Sequence, residues 1–514
     1  MKIQPGRVDP RIPNARVVAS ATPARAPGVD HELFDASTLL AIGAFALYVA
    51  AALLGVGGRT LTFAYPAGCF LIALIAYVRS PGTYIALTWW LWLLTPCVRR
   101  VFDLRYGFHS TSPLLLGPLL CTSVSVFTLI HRRRSLRNVT YVPFIAASVA
   151  LGYAFMTGAL KQSPFAAAYD LITWMVPLLF GLHLALEWRQ YARTRAVIVS
   201  AILSGLLVTS TYGIVQFVNP PLWDRAWVVN AEVFSVGAPL PFLIRAFSTL
   251  NTPAPFAIML VFGLLIGLAA PQRWRAVALA LGLVALILTK ERAGWGALVL
   301  GGLVFQFRQP LRSLPRQWIA LLVILLLAAP VITQPRVMSV LTGRASTLYD
   351  VSADRSFNVR LATMRNSLRG LGSNPTGNGL GGFGGASKLL SSNVRVDVAL
   401  DSGLLEVLAV FGWIGGTLFL IALGAIILPI LRDPRSRRDP IAGASGAVVI
   451  ALFAMSLFRN VFNSVSGFFF WTAVGLAIAA RTYSAATAVT ARFSETAALP
   501  RQAGPTLPPR TTAA

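Results

Sequence analysis

Charge is what this sequence has least of. Only 12% of its 514 residues are Asp, Glu, Lys or Arg, about half the share of a typical soluble domain. With 56% hydrophobic residues and a mean hydropathy of +0.68, a soluble globular chain is excluded and an integral membrane protein is indicated. Cysteine is scarce as well. Cys69, Cys97 and Cys121 all fall in apolar segments, which excludes a disulfide framework and a cysteine-built metal site. No short apolar core with a small-residue cleavage site precedes the first apolar stretch, so no secretory signal is expected. Acids are outnumbered, and the net charge is +26. The basic residues sit in short connections between apolar runs, a distribution that orients a chain against anionic lipid rather than nucleic acid.

What is present is a succession of apolar runs. Residues 1–36 are polar and rich in proline and arginine, and read as a disordered cytoplasmic tail. Apolar stretches fill residues 37–333 and 402–482, and at about 20 residues per crossing they amount to about 12–14 transmembrane helices, nearer fourteen. Residues 334–401 form one large polar loop, and residues 483–514 read as a second disordered tail. The expected fold class is therefore an all-α polytopic membrane protein.

Arginine distribution orients it. With the amino terminus inside, the cytoplasmic connections hold Arg79, Arg132 to Arg134, Arg137, Arg189, Arg193, Arg195, Arg273, Arg275, Arg308, Arg312, Arg316, Arg432, Arg435, Arg437 and Arg438. This bias places the 334–401 loop outside the cytoplasm. One pair of spans is short. Between Arg273 and Phe307 only about 16 residues remain per crossing, too few to span the hydrocarbon fully. The Lys290-Glu291-Arg292 turn should therefore lie below the outer surface, where charges face a cavity or a partner.

Candidate residues follow from these two places. Arg292 is a planar cation suited to bidentate phosphate contact, or a hairpin cap paired with Glu291; Lys290 beside it has the same two readings. Arg245, before Asn251-Thr252-Pro253, can clamp a diphosphate or snorkel to the interface. Within the loop, Arg360 and Arg365 lie on a weakly amphipathic segment, Asn358 to Leu371, that reads as an interfacial helix. The run Gly377-Asn378-Gly379-Leu380-Gly381-Gly382-Phe383-Gly384-Gly385 lacks the Gly-Lys-Ser/Thr ending of a nucleotide loop; it is a hinge or a wall for close approach. Asp401 is either an N-cap or a carboxylate that takes a proton from an attacking hydroxyl. Glu406 is a buried acid in need of a partner. His31, His109, His131 and His183 lie far away in sequence, so no imidazole base is expected within the loop.

Three motifs in order now carry a resemblance. They are Thr289-Lys290-Glu291-Arg292-Ala293-Gly294-Trp295; Arg360 followed by Asn374-Pro375-Thr376-Gly377-Asn378-Gly379-Leu380-Gly381; and Asp401-Ser402-Gly403-Leu404-Leu405-Glu406 running on to Gly415. Together with Arg245 they resemble the O-antigen ligase and Wzy-type polysaccharide polymerase superfamily. That resemblance implies a GT-C-like membrane enzyme of the bacterial inner membrane. It also implies inverting, metal-independent glycosyl transfer from undecaprenyl-diphosphate-linked oligosaccharide at the periplasmic face, with no cofactor. By the same resemblance Arg245 and Arg292 grip the donor diphosphate, Arg360 assists, and Asp401 orients or deprotonates the acceptor. Ligases carry histidine where this chain has Asp401, followed by serine rather than asparagine, which favours a polymerase of exopolysaccharide or O-antigen repeats. The alternative is a ligase acting on lipid A core or protein. A lipid-linked glycan flippase ranks behind both, because no internal repeat is visible. A chain-length co-polymerase, a flippase and membrane lipid are the expected partners.

Overall fold

The computed structural model describes residues 36–232, 234–309, 374–389, 402–434 and 439–498, with scattered positions between 322 and 365. Among these residues all regular structure is helical. The first half contains α1 (Ala36–Leu54), α2 (Leu61–Arg79), α3 (Pro81–Tyr106), α4 (Leu116–Ser123), α5 (Val126–His131), α6 (Val142–Lys161) and α7 (Pro164–Leu186). After them come α8 (Tyr191–Val218), α9 (Leu222–Asn230), α10 (Pro253–Ala269), α11 (Arg275–Leu288) and α12 (Arg292–Phe307). Beyond the large loop lie α13 (Gly403–Leu431), α14 (Pro440–Met455) and α15 (Ser464–Ala498).

Local chemistry explains many of these starts. Pro81, Pro164, Pro253 and Pro440 open α3, α7, α10 and α14, where a missing N–H is harmless and the fixed φ suits a helix. The Asp439 carboxylate accepts from Ile441 N and Ala442 N and so caps α14. α15 continues to Ala498, past the tail expected from residue 483. Its last turns, Ala- and Thr-rich with Arg492 and Glu495, carry enough good helix formers to propagate.

Seven helical segments among the described residues are long and apolar enough to cross a membrane, which marks a multi-pass membrane protein. One of the seven, Pro113–His131, is made of a short 3-10 turn, α4 and α5 in succession. The short pair is as expected. α11 has 14 residues and α12 has 16, about 21 and 24 Å at 1.5 Å per residue.

The helices run antiparallel, so the bundle has two distinct ends. At one, Arg132 pairs with Glu187, Arg195 with Asp439, and Arg308 donates to the last carbonyls of α13, Ile430 O and Leu431 O. This end carries the arginine-rich connections. At the other lie the α11–α12 turn, the starts of α7, α13 and α15, and the Asn374–Leu389 segment.

α13 is not continuous. Gly412 sits at φ 65°, ψ −169°, a conformation open essentially to glycine alone, and the helix breaks there. In an unbroken helix Trp413 N would donate to Ala409 O. Instead Trp413 N donates to Pro375 O (2.8 Å), and Ala409 O and Val410 O accept from Asn378 N and Gly379 N, each at 2.9 Å. The glycine run thus replaces the lost helical bonds, as backbone groups at membrane depth require. Leu380 N donates to Ala154 O of α6, and Gly381 N to the Asp170 carboxylate of α7, both at 2.9 Å. Gly377 and Gly381 hold φ of 76° and 95°. A Cβ on Gly381 would lie 2.7 Å from Ala167 N. The run is therefore an inserted backbone wedge rather than a free hinge.

Candidate functional site

The second end of the bundle gathers charge around one carboxylate. Glu291, 5% exposed, stands just before α12. Its Oε2 accepts from Arg245 Nη2 at 2.5 Å, and its Oε1 lies 3.5 Å from Arg459 Nε. Arg245 also donates from Nε to Thr289 O (2.9 Å), from Nη1 to Ser235 O (3.0 Å) and from Nη2 to Lys290 O (3.3 Å). It grips the carbonyls of the turn that presents Lys290 and Arg292. Lys290 adopts φ 55°, and its Nζ lies 5.5 Å from the centre of the Phe217 ring. Arg292 is half-buried at the first position of α12. Arg245 and Arg459 thus share a single acid, and Lys290 and Arg292 flank it in the chain. Basic side chains are thus concentrated at this turn, around an acid that is itself buried.

A buried lattice of polar groups holds this arrangement. Arg100 and Asp224 are both fully buried and pair at 3.0 Å. Arg100 donates to Ser248 O (2.6 Å) and Leu250 O (2.5 Å), and its guanidinium lies over the Phe247 ring at 4.8 Å. Gln216 Oε1 accepts from Phe247 N (2.9 Å) and Ser248 N (2.8 Å), while Gln216 Nε2 and Tyr212 OH donate to Asp224 Oδ2. These bonds fix the turn at Ser248, φ 53°, directly after Arg245. Removing one partner would strand a charge in a dry interior.

On the facing side is the start of α13. Its N-cap is Ser402, whose Oγ accepts from Leu405 N at 3.4 Å; Asp401, weighed as a cap or a base, lies outside the described residues. Gly403 N donates to Ser456 O at 2.8 Å, which ties α13 to the Ser456–Asn463 connection. Asn460 lies beside the Glu406 carboxylate, and Asp170 is within electrostatic range of it. Because Arg459 and Asn460 are neighbours, one connection links the arginine cluster around Glu291 to the two acids Glu406 and Asp170. The glycine wedge completes the wall. Lys161 Nζ donates to Thr376 Oγ1 (2.8 Å), Gly377 O (2.6 Å) and Asn374 Oδ1 (3.2 Å).

The sequence-selected residues therefore divide. Arg245, Lys290 and Arg292 are brought together at one turn. Glu291 pairs with Arg245 and Arg459. Glu406 reaches the same end through Asn460. Arg365 is helical and exposed. Asp401 and Arg360 lie outside the described residues. Arg459, Asn460, Asp170, Lys161 and the Arg100–Asp224 pair were not singled out from sequence. Each is a polar residue within or between apolar runs, and that placement alone makes a membrane residue a functional candidate. Among the described residues no group of three or more His, Cys, Asp or Glu side chains is placed to hold a metal ion.

An all-helical, multi-pass membrane protein with a cation cluster at one end defines a broad class. Within it, residues 277–420 match the family model described as O-Antigen ligase, from the start of α11 to beyond the break in α13. That stretch includes the Thr289–Trp295 turn, the glycine wedge and the start of α13, the same motifs that carry the superfamily resemblance. No match was found among curated proteins.

Proposed function

We propose that the protein is a glycosyltransferase that polymerises undecaprenyl-diphosphate-linked oligosaccharide repeats at the periplasmic face of a bacterial inner membrane. The observation that carries this reading is the Glu291 carboxylate held by Arg245 and Arg459 at the turn that carries Lys290 and Arg292, a turn that lies inside the segment of O-antigen ligase type. It lies at the end of the bundle opposite the arginine-rich connections, and the positive-inside bias therefore supports a periplasmic location.

In this mechanism the donor diphosphate docks against Arg292, Lys290 and the N-terminus of α12, where backbone N–H groups and the helix dipole favour an anion. Arg245 is occupied in gripping the turn and contributes charge and position. As the glycosidic C–O bond breaks, negative charge builds on the departing diphosphate, and fixed cations stabilise it without reorganising. The acceptor hydroxyl attacks from the opposite face of the sugar, where its proton passes to a carboxylate. Asp401 is the base that the superfamily resemblance implies; Glu406, about a turn into α13 and oriented beside Asn460, is the second candidate. The 334–401 loop, with Arg360 and Arg365, is the external segment that closes over the lipid-linked substrate in a GT-C-like arrangement of about 12–14 spans.

A ligase moving finished glycan to lipid A core or protein uses the same donor chemistry, and the description of the matching family favours it as the second reading. A deletion strain separates the two. Accumulation of lipid-linked single repeats is expected for the polymerase. Long chains stranded on the lipid carrier would replace that reading with the ligase. Reporter fusions that put residues 334–401 in the cytosol would remove both.

A further inference from the structure

At the arginine-rich end, far from the cluster around Glu291, a cavity of about 530 Å³ opens between the ends of α2, α5 and α7 and the starts of α3 and α8. We propose that it binds the headgroup of an anionic, phosphate-bearing phospholipid from the adjoining leaflet.

The lining is divided by polarity. Tyr77, Val78, Pro81 and Ile85 contribute an apolar wall, and His131, Arg132, Gln190 and Arg193 contribute the polar side. Arg132 is oriented by Glu187, which accepts from its Nε (2.9 Å) and Nη2 (3.3 Å). A guanidinium carries five N–H donors in a fixed fork, so this pairing leaves its Nη1 edge for a second acceptor. Among the described lining residues Glu187 is the one acid, and it is the group that orients Arg132. In the depth, Tyr77 OH and His183 Nδ1 each contact Thr128 Oγ1 at 2.7 Å, so the floor is built from interlinked polar side chains. Around the mouth, Arg79, Arg133, Arg134 and Arg189 are exposed and deepen the positive potential, which attracts anionic leaflet lipid.

Lipid, rather than a soluble phosphate, follows from the flank. Val78 lines the cavity yet is 75% exposed, and Ile130, next to His131, is 59% exposed. In a spanning bundle such faces meet hydrocarbon. The cavity therefore has a cationic side for a phosphate and an apolar edge continuous with the acyl region. Long basic side chains with apolar stems suit this position.

The test uses detergent-purified full-length protein and native mass spectrometry. Phosphatidylglycerol, phosphatidylcholine of the same acyl composition, and glycerol 3-phosphate are titrated separately. Saturable retention of phosphatidylglycerol is expected, with little of the other two. Val78→Trp, which fills the cavity from its exposed edge, and Arg132→Gln, which removes the guanidinium held there by Glu187, should each weaken that retention by about tenfold or more, the scale of one charge-assisted hydrogen bond. Unchanged unfolding temperatures would show that both variants are folded. Equal retention of the two phospholipids, or undiminished binding in folded Val78→Trp, would overturn the site. Glycerol 3-phosphate binding as tightly as phosphatidylglycerol would overturn the lipid assignment.

Discussion

The two ends of the bundle use the same side chain, arginine, in different ways. At the arginine-rich end the ion pairs are simple and wet. Arg132–Glu187 and Arg195–Asp439 have side-chain exposures of 40%/19% and 39%/14%. At the opposite end Arg100–Asp224 is 0%/0%, and Glu291, 6% exposed on its side chain, is shared between Arg245 and Arg459. Solvated pairs are screened and contribute little. Desolvated ones must be satisfied completely, and once satisfied they hold a geometry. In the proposed function the first end sets the orientation of the chain in its membrane, and the second builds the site.

Four substitutions can break or sharpen that contrast. The largest effect on stability is expected for Arg100→Met, which leaves Asp224 charged and alone; removing one partner of a buried pair costs about 3–5 kcal/mol. Thermal unfolding of the purified protein should drop sharply, and adding Asp224→Leu should restore much of it. A small drop would mean that water reaches the pair. Next is Glu291→Gln, which removes the anion between Arg245 and Arg459. Loss of a buried, hydrogen-bonded partner should lower chain growth by about thirtyfold or more, with Glu291→Asp partly active; full activity in Glu291→Gln would mean that the carboxylate does not organise the cluster. Gly412→Ala forces a Cβ onto a glycine-only conformation and should cost about 1–3 kcal/mol. An unchanged unfolding temperature would show that α13 can straighten without the glycine wedge. The smallest effect belongs to Arg195→Gln at the solvated end, under about 1 kcal/mol, and a larger loss would erase the distinction between the two ends.

Much of this was legible in the chain. Apolar runs gave the helices, and the shortness of α11 and α12 pointed to the turn at Lys290. Arg245 and Arg292 could be chosen because each interrupts an apolar pattern. What escaped were relations between distant segments. Arg459 is an ordinary loop residue until the fold sets it against Glu291. Asp170 is a lone acid in α7 until Gly381 N donates to it. The glycine run read equally well as hinge or wall, because nothing local reveals that Gly412 breaks α13 and leaves Ala409 O and Val410 O in need of donors. Likewise, Ser402 was not singled out as the N-cap of α13, a role that the bond from Leu405 N to its Oγ reveals.

The central claim is that the cations of the α11–α12 turn hold a departing diphosphate. It is tested most directly by chain growth on a synthetic lipid-diphosphate-linked repeat, with purified wild-type protein and Arg292→Ala compared at equal folded concentration. Loss of one fixed cation from the transition state should cut the rate by about a hundredfold or more. A variant that elongates the chain at the wild-type rate would contradict the account.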